Sequence, residues 1–113
     1  MAQLLTATLD DVARKAGDLY PITATLRANG AAKDLTAATV VITMVDNLTR
    51  VARTTLAACT IVSAAAGTVS YTPIAGDVLE GNLDVEFKVT QAGVAYHFPS
   101  ADYAALRIWP VLA

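Results

Sequence analysis

His97 is the only histidine and Cys59 the only cysteine in this 113-residue chain, so its chemical repertoire is narrow. A nucleophile–base arrangement would need His97 beside Cys59, Ser63, Ser70 or Ser100, with a carboxylate such as Asp102 orienting the imidazole. Nothing in the spacing brings these groups together. His97 is out of phase with Tyr96 and Phe98, which places it on the solvated face of a strand. Cys59 reads as a small core residue. One thiol and one imidazole cannot complete a zinc site. Asp77 with Glu80, flanked by Gly76 and Gly81, is the pair nearest to a hard-cation loop; a solvated loop is the preferred reading. Asn47-Leu48-Thr49 matches a glycosylation acceptor, a pattern common by chance. No phosphate-cradling glycine loop occurs, and two Phe, one Trp and four Tyr are too few for a stacking platform. No catalytic residue, metal ligand or cofactor site is expected.

Composition narrows the classes further. Hydrophobic residues make up 55% of the chain and charged ones 16%, which excludes disorder. Eight Lys+Arg against ten Asp+Glu generate no cationic field for nucleic acid. A lone cysteine excludes an internal disulfide. No apolar run approaches the ~20 residues of a membrane span. Met1–Leu9 lacks the basic start of a secretory signal. The length suits one domain.

The elements that must position any site are strands. Tyr20–Leu26 alternates apolar and polar residues, and Asn29-Gly30 is a strong hairpin signal because both residues tolerate positive φ. Thr39–Asp46, rich in β-branched residues, reads as a strand buried on both faces or nearly so. Arg50–Leu56 returns as its partner after Asp46-Asn47. Cys59–Ser63 and Thr68–Thr72 pair around an Ala64–Gly67 turn. Ile74–Gly81 is a connection with room for one helical turn. Leu83, Val85, Phe87 and Val89 alternate with polar residues, Gln91–Gly93 turns the chain, and Val94, Tyr96 and Phe98 continue the pattern. Tyr103–Val111 is the last strand, with Leu106 and Ile108 on one face. Turn signals at this spacing predict an all-β antiparallel sandwich of about seven to eight strands over 17–113. Residues 1–16 form an N-terminal arm or a short helix: Thr8–Asp11 fits a helix start and Gly17 a stop, while an extended segment entering a strand near Val12 fits equally.

Apolar residues near the two ends stand out as candidate contacts: Leu4, Leu5, Leu9, Trp109, Val111 and Leu112. Trp109 is either a plug of the sandwich or an interface anchor.

The run Gly17–Leu26, followed by Asn29-Gly30, Asp34-Leu35-Thr36 and Ala38-Thr39-Val40, resembles the immunoglobulin-like N-terminal domain of tailed-phage upper baseplate proteins. Ala65–Tyr71, Gly81, the alternation from Leu83 to Val89, Gly93 and His97–Pro99 continue the resemblance in order, over about residues 17–109. Ala37 replaces a frequent glycine of that family, Asp46–Thr49 lacks its turn glycine, and Pro73 stands where an aromatic is frequent. The resemblance implies a virion structural subunit of tail, baseplate or head surface. Such a subunit is made in the host cytoplasm and works by contact with other virion proteins and copies of itself. It has no nucleic-acid, membrane or small-molecule partner. Because that family's domain usually opens a longer chain, a separate small attachment subunit is expected. The alternative is an immunoglobulin-like binding module for host-surface carbohydrate or protein.

Overall fold

The alternating segments close into two packed sheets in the computed structural model, which describes residues 4–112. The strands are β1 (Leu5–Leu9), β2 (Ala13–Lys15), β3 (Ile22–Ala28), β4 (Ala31–Ala32), β5 (Thr39–Asp46) and β6 (Ala52–Ala58). They continue with β7 (Thr60–Ser63), β8 (Thr68–Tyr71), β9 (Gly81–Gln91), β10 (Val94–Phe98) and β11 (Ala104–Trp109). A single 3-10 turn, Ala75–Val78, stands in the β8–β9 connection. One sheet runs β1-β3-β8-β7, with the stub β4 on β3; the other runs β2-β11-β9-β5-β6, with β10 on β9. This is the immunoglobulin strand order, A-B-E-D against G-F-C-C′. Taking β1/β2 and β10/β11 as one strand each and setting β4 aside leaves eight.

Burial follows the alternation. Leu83, Val85, Phe87 and Val89 of β9 are buried, as are Ile22, Ala24 and Leu26 of β3, and these faces meet in a core with Ile42, Met44, Val69, Phe98, Leu106 and Ile108. The Asn29-Gly30 turn has φ of 53° and 85°, as a tight hairpin between β3 and β4 requires. Strand β5 has one fully buried face and one only partly covered, at the weaker end of the expectation. Val40, Ile42 and Met44 are buried, but Val41, Thr43 and Val45 are only partly so, because no third layer covers the outside of that sheet.

Each flank of the sandwich is made by a stretch of chain that changes sheets midway. Strand β1 pairs antiparallel with β3, and after residues 10–12 the chain joins the other sheet as β2, parallel to β11. Strand β6 pairs with β5, and the chain crosses at Cys59 to become β7, paired with β8. The segment read as arm or helix is therefore extended throughout the two strands, and both are hydrogen-bonded into sheets. Leu5 and Leu9, named above as candidate contacts, are 7% and 6% exposed and belong to the core. They are corrected on that ground: their period-two spacing within β1 turns them inward against β3.

Cys59, at the second crossing, packs against the core, and burial pushes its thiol pKa up to about 12. Near neutral pH it stays protonated and a poor nucleophile. A disulfide-exchange reagent at pH 8 is expected to modify it only slowly in the native chain and rapidly once the chain is unfolded in urea; equal rates would contradict this placement.

Candidate functional site

At one end of the sandwich three polar anchors hold three loops. The first is built on the turn after β5. Asp46 ends the strand, and its Oδ1 accepts from the backbone N–H of Leu48 at 2.9 Å and Thr49 at 3.0 Å. Those two bonds, aided by Arg53, hold the Asp46 pKa below the ordinary carboxylate value. Arg53 donates to Asp46 Oδ2 at 2.8 Å and to the carbonyls of Leu79 and Glu80, so one guanidinium joins this turn to the β8–β9 connection. Gly81 permits the approach. Its φ is 145°, and a Cβ there would lie 2.8 Å from Arg53 Nη2 and 3.0 Å from Asp46 Oδ2.

Asp77 is the second anchor. The side chain is buried, and its carboxylate accepts from Thr54 Oγ1 at 2.5 Å, Tyr71 OH at 2.6 Å and the Ile74 N–H at 2.9 Å. The expected solvated loop holds for Glu80, which is exposed, and is corrected at Asp77, an internal acceptor that fastens the 3-10 turn to β6 and β8. Burial, then the bond to Asp77, raises the pKa of Tyr71.

Arg14 is the third. It points inward from β2, 4% exposed, lies 3.9 Å from the Tyr20 ring centroid, and donates to the carbonyls of Tyr20 at 2.7 Å and Asp18 at 3.2 Å. Its Nε has no hydrogen-bond partner among the described residues. The N–H of Gly17 also reaches the Val78 carbonyl at 3.1 Å, joining this loop to the next.

Loops fixed in this way present apolar side chains outward. Leu19, Tyr20, Leu48, Val51, Ile74, Leu79, Trp109, Val111 and Leu112 are all exposed, and all lie on the loops or strand ends that the register places at this end. A cleft of about 510 Å³ opens among them, lined by Val51, Ile74 and Leu79 with Asp46, Arg53 and Asp77. Trp109 is 48% exposed and stacks under Arg107 at 4.6 Å, so it does not plug the core. Trp109, Val111 and Leu112 share this end. Leu4 is exposed at the other, where its N–H donates to Asn29 Oδ1 at 2.9 Å.

The histidine sits elsewhere. His97 is exposed on β10, and a shallow concavity on the outer face of the second sheet is lined by His97, Ser100, Asp102, Glu86 and Tyr103. Folding thus brings the suspected groups near one another without coupling them. Ser100 Oγ accepts from the Leu5 N–H at 3.1 Å and donates to the Leu5 carbonyl at 3.4 Å, which commits its proton to β1. Among the described residues, no cluster of His, Cys, Asp or Glu has metal-binding spacing.

Residue types gave little warning of the anchors. Arg14 is in phase with Ala16, which packs against the core, but also with Val12, which is exposed, so alternation gives it no inward signal; Asp46 is a recognisable turn former. Asp77 carries only a weak local signal, an acidic residue three positions after the Ile74 N–H that it caps; its buried partner Thr54 comes from the distant β6.

Fold and site together define a β-sandwich with an apolar end whose loops are joined by polar side chains. No protein-family model matches the chain, and no curated protein matches it.

Proposed function

We propose that this chain is a non-enzymatic structural subunit of a bacteriophage virion, an adaptor of tail, baseplate or head surface that acts through its contacts. One observation carries the reading: exposed large apolar side chains are gathered on loops that buried and part-buried polar side chains tie down by hydrogen bonds. Such a surface loses little conformational freedom on docking, so more of its burial is left to stabilise the contact. An exposed apolar group of this extent on a small domain marks an interaction site. A low-charge surface is cheap to desolvate, and symmetric repetition multiplies a modest single contact. The resemblance to upper baseplate domains supplies the virion setting.

The test is direct. Particles of the phage whose genome encodes this sequence, purified through a density gradient, are expected to yield its peptides by mass spectrometry in constant ratio to the major structural proteins. Recovery of the chain only in the particle-free fraction would sink the proposal.

A further inference from the structure

The β6–β7 flank lacks the usual protection of a sheet edge. From Thr54 through Gly76 the chain contains no Asp, Glu, Lys or Arg, and no other run in it is as long. That run includes most of β6 and all of β7, which are the outermost strands of their sheets on this side. Edge strands are normally guarded by charge, lysine above all. Here the only guards are bulges. An extra residue at Thr55–Leu56 interrupts pairing with β5, and Val62 interrupts pairing with β8. A bulge spoils the straight ladder that strand addition needs.

The bulges also present side chains. Leu56 is 56% exposed and Val62 61% exposed. Leu56 has φ of 48°, a left-handed conformation that bulky residues rarely adopt. In the isolated chain the strain is not offset by burial of the leucine. Glycine would fit that backbone without strain; leucine there instead holds a large apolar side chain out into solvent.

We infer that two copies of this chain pack flank to flank about a two-fold axis, covering Leu56 and Val62 by side-chain contact. A two-fold contact sets a patch against itself, so any charge in it faces its own copy. On this flank the run from Thr54 onward has none to oppose, and the one charge of β6, Arg53, is largely covered and paired with Asp46. The other flank exposes Asp10, Asp11 and Lys15 and lacks that self-compatibility. The inference rests on the contact-subunit reading above and names one of its contacts.

Sedimentation equilibrium of the full chain over a wide dilution series tests it. The expected result is reversible dimerisation, with the association constant lowered about tenfold or more in Leu56→Glu/Val62→Glu. Leu56→Gly/Val62→Ser relieves the backbone and keeps the fold, so it is expected to weaken association while raising or preserving the urea midpoint. A wild-type chain that stays monomeric at every concentration overturns the inference, as does a dimer unaffected in the glycine–serine variant. Dimerisation by a chain missing from particles would refute the virion reading alone; a monomer recovered in particles would refute this contact alone.

Discussion

A chain lacking residues 1–9 is expected to lose cooperative folding, or to keep it only with most of its stability gone. Strand β1 pairs residue by residue with β3, from Leu5 opposite Ala28 to Leu9 opposite Ala24. Removing it takes two buried leucines from the core and uncovers an edge of β3. It also strips Ser100 of its bonds to Leu5, which tie the β10–β11 loop to the first sheet. Loss of one buried leucine side chain costs about 2–5 kcal/mol. Two such losses, with five ladder positions removed, rival the whole stability of a small domain, about 5–15 kcal/mol. Urea denaturation followed by circular dichroism reads the effect, and an unchanged midpoint with an unchanged slope would show that β1 is not part of the folded unit. Failure of this truncation to enter particles would therefore report misfolding. The variant that examines a contact at this end is Leu4→Ala, which trims an exposed side chain and leaves the core alone.

Asp77→Ala is expected to be the most damaging polar substitution at the apolar end. It leaves Thr54 Oγ1, Tyr71 OH and the Ile74 N–H without their acceptor. Each orphaned buried donor costs about 1–3 kcal/mol; Thr54 is buried while Tyr71 is only partly so and turns to water, so the sum with the Ile74 N–H is about 2 kcal/mol or more. The expected record is a lower urea midpoint with little change in slope. Asp77→Asn, which retains an acceptor oxygen, should fall between wild type and the alanine variant. An alanine variant within about 0.5 kcal/mol of wild type would mean that the network does not hold the turn. The same substitution frees Ile74 and Leu79 from their fixed loop, so the loss of rigidity reaches the proposed contact surface as well.

Much of the architecture was readable in order along the chain. Leu83 to Val89 declares its inward face because one side of its sheet is packed and the other is wet. Asn29-Gly30 declares its turn because those residues tolerate the backbone it needs. The pairs β5–β6, β7–β8 and β9–β10 are close in sequence, so turn chemistry and alternation sufficed. The candidate contacts were less legible: of six apolar residues named near the ends, Leu5 and Leu9 are buried in the core, whereas Leu4, Trp109, Val111 and Leu112 are exposed. Hydrophobic character alone cannot distinguish those outcomes, since burial depends on what a strand finds opposite it.

By itself, then, the sequence determined an alternating, low-charge, all-β chain, because period-two patterning and turn propensity act between neighbours. Only the tertiary structure decided that residues 5–15 are strands of both sheets, because β2 takes its partner, β11, from the far end of the chain. It alone turned Asp77 and Arg14 inward and left Leu56 outward on a bulge. Those outcomes follow from long-range closure, in which a side chain's surroundings are assembled from segments that local chemistry does not connect.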